Sequence, residues 1–187
     1  MAQVTNNIII NDVLIPSLKQ LYQVDYDNIR FGVSERNICT RLAHYMENIM
    51  REYDSTHSTE YFRNYYADVE YNRMGNGELK MYENSEKLPR YMVSDLLIQS
   101  RGYERNYLAV EMKRKGNYRN AKEDRERLAS MVSSRLKNEE QRFVHDTLVG
   151  AFIVYGIGGV EIELFENVNG EVKKNDISPI HYEELRS

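Results

Sequence analysis

Met92-Val93-Ser94-Asp95-Leu96-Leu97-Ile98 and Tyr107-Leu108-Ala109-Val110-Glu111-Met112-Lys113 decide how this chain folds. Both runs have the length and apolar content of buried strands, and the polar stretch Ser100–Asn106 between them reads as a turn. An antiparallel hairpin centred near Tyr103 sets Ile98 opposite Leu108 and Asp95 opposite Glu111. Directly opposed residues have Cβ atoms about 4.5–5.5 Å apart, so two carboxylates there repel and call for a cation. Lys113 follows Glu111 by two positions, which on a strand puts both on one face. Two acids and a lysine meeting at one spot are the minimum equipment for metal-assisted phosphodiester hydrolysis.

Composition bounds the rest. With 187 residues, one domain spanning 1–187 is expected. Hydrophobic content of 41% and charged content of 29% are those of a globular chain and argue against disorder. The single cysteine, Cys39, excludes an internal disulfide framework and fits a reducing compartment. Met1–Asn7 has no basic n-region, Ile8-Ile9-Ile10 is too short for a signal core, and no apolar run approaches the roughly 20 residues of a membrane span. The expectation is a soluble cytoplasmic protein. A net charge of −4 does not advertise a nucleic-acid partner. Lys113, Arg114, Lys115, Arg119, Lys122, Arg125 and Arg127 nevertheless cluster after the hairpin, against Glu123, Asp124 and Glu126. Spacing alone leaves open whether this is a phosphate track or a solvated helix face.

Around the hairpin the periodicities are mixed. Residues 9–23 read as a helix that Pro16 kinks or delays. Ser34 is a suitable N-cap for a second helix carrying Ile38, Leu42, Tyr45, Met46, Ile49 and Tyr53 at three- to four-residue spacing. Tyr66–Asn72 alternates as a strand, with Ala67, Val69 and Tyr71 on one face and Asp68, Glu70 and Asn72 on the other. Residues 75–89 are polar and read as loop. A third helix is expected over Tyr118–Leu136, with Ala121, Leu128, Met131 and Val132 facing the core. Strands at Ala151–Tyr155 and Val160–Phe165 flank the turn Gly156-Ile157-Gly158-Gly159, which opens a strand rather than a helix and so is no phosphate loop. The order α-α-β-β-β-α-β-β predicts an α/β domain, a mixed β-sheet flanked by helices.

Three further acids merit weighing. Glu35 precedes Ile38 by three residues and lies on the apolar stripe of its helix. Either it serves the macrodipole there, or the stripe aims it at the carboxylate pair. Asp124 precedes Leu128 by four, and is either a surface ion-pair member or the orienter of a basic partner. Glu70 is on a polar strand face, which is either simply an exposed sheet face, the cheaper explanation, or a position from which it approaches the site. The histidines, His44, His57, His145 and His181, have no zinc spacing, and no serine sits in a nucleophile elbow. Many of the fifteen tyrosines fall at core positions.

With those residues in hand, the chain resembles the PD-(D/E)xK nuclease superfamily, the restriction-endonuclease-like fold, and within it small bacterial members. The resemblance runs from about residue 34 to residue 165. Its pieces are Ser34-Glu35-Arg36, Arg41–Glu47, Asp68–Arg73, Ser94-Asp95-Leu96-Leu97-Ile98, Arg101-Gly102 and Leu108–Lys113. Ser94 stands where the signature proline is usual. The resemblance implies a Mg²⁺-dependent nuclease of prokaryotic origin, Mn²⁺ being able to substitute, with DNA the first-choice substrate. It further implies that Asp95 and Glu111 ligate the metal, Lys113 positions or activates the attacking water, and Glu35 is an accessory acid and third metal ligand. The rival expectation is an inactive nuclease-fold module that binds nucleic acid or a partner. A chain with no room for a target-recognition module also points to a homodimer or a partner subunit, and to no membrane.

Overall fold

A computed structural model describes residues 3–70, 81–83, 86, 88–91, 93–100, 105–133 and 147–187. A π-helical stretch, Ile8–Leu14, runs directly into α1, Ile15–Val24, and Pro16 lies just past the junction, so the helical path continues through it. A short α2, Tyr26–Phe31, precedes α3, Glu35–His57, whose start is set by Ser34: its Oγ accepts the Asn37 N–H at 3.3 Å. Next come β1 (Tyr66–Val69), β2 (Met81–Glu83), β3 (Pro89–Tyr91), β4 (Leu96–Gln99) and β5 (Leu108–Arg114). Helix α4, Ala121–Val132, leads to β6 (Val149–Gly156), β7 (Gly159–Val168), β8 (Glu171–His181) and α5 (Tyr182–Arg186).

Six strands form one mixed sheet in the order β1-β4-β5-β6-β7-β8, while β2 and β3 pair separately. The predicted hairpin register is the one adopted: Leu96↔Val110, Leu97↔Ala109 and Ile98↔Leu108. Its tip near Tyr103 lies outside the described residues. Strand β5 runs parallel to β6, a pairing that requires a crossover, and the segment carrying α4 supplies it. The fold class expected from the sequence, an α/β domain with a mixed sheet flanked by helices, is therefore the one observed.

Helices on both sides explain why β4 and β5 read as unbroken apolar runs. Leu96, Ile98, Leu108, Val110 and Met112 pack with residues of α1 and α3 on one side. Leu97 and Ala109 face the other way and pack with Leu128, Met131 and Val132 of α4 and Phe152 of β6. Each such aliphatic side chain, fully buried, contributes roughly 1.5–3 kcal/mol relative to exposure.

Several elements differ from the sequence expectation. Residues 81–83 and Pro89, expected as loop, lie in the strands β2 and β3. They are too short to show alternation, and Tyr82 alone of them reaches the α4 core. Helix α4 begins at Ala121 rather than Tyr118, and its expected end at Leu136 lies outside the described residues. The C-terminal segment contains β8, which lies at the sheet edge and is exposed along most of its length, so no apolar period marks it. Lys173, Lys174 and Pro179 on that edge discourage further strand addition.

The Gly156–Gly159 segment is the two-residue hairpin turn expected, with Gly156 paired to Gly159. Gly159 has φ +129°, and a Cβ there would collide with the Ile180 carbonyl oxygen of β8. The buried Tyr22 hydroxyl lies 2.8 Å from the carbonyl oxygens of both Gly156 and Gly159 and donates its one proton to either, pinning the turn to α1. Gly159→Ala is expected to destabilise the protein by at least about 1–3 kcal/mol from backbone strain alone. Chemical denaturation checks it, and an unchanged midpoint would mean that the turn carries no such constraint.

Candidate active site

The site originates in a mismatch of strand lengths. Strand β4 begins at Leu96, opposite Val110, but β5 continues through Glu111, Met112, Lys113 and Arg114 with β6 alone beside it. One edge of β5 is thus open. Asp95 closes it in part: its Oδ2 accepts the Met112 N–H at 2.7 Å, a side-chain bond in place of a ladder bond. Extending the β4–β5 register by one residue sets Asp95 opposite Glu111. On the other flank, β1 ends as Glu70 turns to φ +51°, its N–H donating to the Asp95 carbonyl at 3.3 Å.

Where β1 and β4 stop, a cleft of about 210 Å³ opens, lined by Glu35, Arg36, Cys39, Val69, Glu70, Asp95 and Lys113. The first turn of α3 delivers Glu35 and Arg36. Glu35 Oε1 accepts from Asn117 Nδ2 at 2.8 Å, which ties the loop after β5 to this helix start. Arg36 and Glu70 form a 2.8 Å ion pair, which in its exposed setting contributes little to stability. Cys39 is buried, with Sγ 3.5 Å from Met112 Sδ. Burial, then the charges of Asp95 and Glu35, raise its thiol well above the ordinary range, so it remains protonated and is no nucleophile.

The α4 side of β5 carries a closed chain of charges. Lys113 Nζ lies 3.0 Å from Asp124 Oδ2, Asp124 Oδ1 lies 3.0 Å from Arg127 Nη2, and Arg127 Nη1 lies 2.5 Å from Glu111 Oε1. Arg127 Nη1 also donates to the Val93 carbonyl at 2.8 Å, reaching the segment that leads into Asp95. Glu111 and Lys113, two apart on a strand, are matched by Arg127 and Asp124, three apart on a helix, with charges reversed. Glu111 is only 1% exposed. With all five groups ionised, Asp95, Glu111 and Asp124 outnumber Lys113 and Arg127 by one negative charge.

Burial dominates the electrostatics. It raises the Glu111 carboxyl well above the usual range, with Arg127 opposing and Asp95 reinforcing. Asp95 is raised by burial too, opposed by the Met112 N–H and by Lys113. Burial pulls the Lys113 ammonium down, but Asp124 outweighs it, and Lys113 stays charged above its ordinary value.

The structure thus brings Glu35, Asp95 and Lys113 to one cleft, while Glu111 sits behind it against Arg127. Among the described residues, no three acidic, histidine or cysteine side chains form a ready ligand set for a metal. The donor chemistry nonetheless suits a hard divalent cation, since Asp95 and Glu111 offer oxygen, repel one another and belong to a group short of one positive charge. Asp124 meets Lys113 as an orienting partner, one of the two alternatives left open by its spacing. Arg127 stands out in the sequence only as one of a basic cluster. The available signal was its position three residues after Asp124, which lies on the apolar stripe. The cluster itself is largely neutralised. Arg125 makes two bonds to Glu163 at 2.7 and 2.6 Å, Lys115 pairs with Glu161 at 2.9 Å, and Lys122 lies 3.8 Å from Glu126.

No protein-family model and no curated protein matches the chain. Among solved structures it is similar to P. aeruginosa NucC in its cAAA-bound form, at 9% identity and a TM-score of 0.36, covering 88% of this chain and 83% of that one. No helix among the described residues is long and apolar enough to cross a membrane.

The raised Glu111 carboxyl has a consequence for stability. A folded pKa above the unfolded one, about 4.3 for glutamate, means that the native state holds the proton more tightly. Stability from this group is then full below pH ~4.3 and declines as pH rises through the folded value. Metal-free protein should lose stability with rising pH across that window, and Glu111→Gln should flatten the decline. Melting temperatures in EDTA across the range check it. Equal slopes for both proteins would place the raised carboxyl elsewhere.

Proposed function

We propose that this protein is a metal-dependent nuclease that hydrolyses phosphodiester bonds of nucleic acid, with DNA the first-choice substrate, in a prokaryotic cytoplasm. The observation that carries the reading is the open edge of β5, where Asp95, hydrogen-bonded to the Met112 N–H, stands beside the strand that carries Glu111 and Lys113. This is the arrangement implied by the resemblance to the PD-(D/E)xK superfamily. Asp95 and Glu111 would hold Mg²⁺, or Mn²⁺ in its place, with Glu35 on the cleft wall as accessory acid and third ligand. When bound, such an ion polarises a phosphate oxygen and lowers the pKa of its water.

The chain's own residues supply the remainder. Lys113, held charged by Asp124, offers a fixed ammonium to the negative charge that develops on the phosphoryl oxygens, and it orients the attacking water. Asp124 fixes the ammonium from the α4 side through their 3.0 Å ion pair. The Met112 N–H holds the Asp95 carboxylate in one orientation, so no reorganisation of that acid is needed on the way to the transition state. Arg36 at the rim supplies a cation for a flanking phosphate once it leaves Glu70. A homodimer or a partner subunit would provide target recognition.

One observation favours a second reading. Glu111 is sealed from the cleft by its bond to Arg127, as expected of a nuclease fold that now serves as a nucleic-acid- or partner-binding module.

Cleavage assays separate the two. Wild type should cut plasmid, linear DNA, single strands or RNA with Mg²⁺ or Mn²⁺, and EDTA should stop it. Asp95→Ala and Glu111→Ala should abolish cleavage and weaken metal binding. Lys113→Ala should keep metal affinity but lose ~10²–10³ in rate, the usual cost of one well-placed transition-state donor. Wild type inert on every substrate with both metals would leave the binding module as the reading.

A further inference from the structure

The Arg127 guanidinium sits where the nuclease reading needs a metal ion to compete. Its Nη1 is 2.5 Å from Glu111 Oε1 and 2.8 Å from the Val93 carbonyl, and its Nη2 is 3.0 Å from Asp124 Oδ1. One side chain thus spans the approach to β4, strand β5 and helix α4. It is well buried, with 15% of its side-chain surface exposed. The fit is incomplete, because the buried Nε–H has no acceptor among the described residues. A guanidinium fully committed to structure would be expected to satisfy its fork, since an unmet buried donor is costly.

Among the described residues, Arg127 is the cation within hydrogen-bonding distance of Glu111. A divalent ion on the same carboxylate would bring two positive centres together in a water-poor interior, where their repulsion is strong. Arg127 and the ion are therefore alternatives as the counter-charge of Glu111.

We propose that Arg127 is a positioning residue that acts as the resident cation of this site: it holds Glu111 in the ion-free protein and is exchanged for a divalent ion when one binds. Asp124 and the Val93 carbonyl keep the displaced guanidinium in reach, so exchange requires a rotation of Glu111 or Arg127 rather than movement of α4. The inference rests on the metal site proposed above but not on cleavage. It makes arginine and ion antagonists: removing the first tightens the second. Coupling between such ligands is typically about 5–150-fold in affinity.

The test is calorimetric titration of MnCl₂ into the full chain, paired with melting temperatures in EDTA and in MnCl₂. The proteins are wild type, Arg127→Met, Arg127→Lys and Arg127→Met/Glu111→Gln. Arg127→Met should melt lower than wild type in EDTA, bind Mn²⁺ about 5–150-fold more tightly, and gain more from Mn²⁺ in melting temperature. Arg127→Lys, which keeps a charge but cannot span three elements, should fall between the two. The double variant should recover melting temperature in EDTA while losing the gain in affinity. If Arg127→Met does not fold, Arg127→Lys against wild type decides on the same criterion. Tight Mn²⁺ binding by an arginine variant, with none by wild type, would support the exchange and at the same time end the nuclease reading for the native chain. Equal Mn²⁺ affinity in wild type and the arginine variants, or no binding in any of them, would overturn the exchange. The nuclease reading would then stand or fall on cleavage.

Discussion

Everything in the candidate site follows from one constraint: β5 is paired on both edges over its first half and on one edge over its second. A central strand needs apolar residues on both faces, and Leu108, Ala109 and Val110 provide them. Beyond Val110 the missing neighbour leaves a backbone edge that must be satisfied without a ladder. Asp95 meets that need with its carboxylate, and the need is what holds an acid at this spot. Glu111 and Lys113 occupy the half-open stretch, and because Glu111 is only 1% exposed it depends on a counter-charge rather than on solvent.

The cost of that arrangement is electrostatic. Taking carboxylates out of water is unfavourable by several kcal/mol each unless they are paired, and removing one partner of a buried pair typically costs about 3–5 kcal/mol. Helix α4 answers with Arg127 and Asp124 in mirror order to Glu111 and Lys113, so its register against β5 is fixed by charge as well as by Leu128 and Met131. The crossover between β5 and β6 therefore does two jobs. It makes parallel pairing possible, and it brings the counter-charges.

The sequence made much of this legible, for identifiable reasons. The β4–β5 register follows from apolar content, a short turn and the rule that opposed residues sum to a constant. The start of α3 at Ser34 follows from capping chemistry. Asp124 was suspect because an acid on an apolar stripe must have a reason to be there. Other features left no local trace. Strand β8 owes its place to pairing with β7 at an edge where only Val172, Ile177 and Ile180 pack partly against the cores, and β2 and β3 are three residues each. The Arg127–Glu111 contact joins residues whose spacing has no periodicity to reveal it, since it depends on how α4 lies across the sheet. The basic cluster misled in the opposite direction: several of its charges are met by glutamates of α4 and of β7, a strand far along the chain.

The bond between Asp95 and the Met112 amide gives the protein a built-in observer. A backbone proton 2.7 Å from a carboxylate oxygen, donor to acceptor, is deshielded by the charge on that oxygen. Its nuclear magnetic resonance frequency therefore follows whether Asp95 is ionised, and whether its charge is shared with another cation. Its exchange with solvent deuterium likewise reports how often the carboxylate lets go. Met112 packs among core residues on the face away from Glu111 and Lys113 and is not one of the residues lining the cleft, so its amide reports on the acid without being part of the cleft wall. A single resonance can thus follow the state of the site in the intact, unmodified chain, without substrate and without turnover.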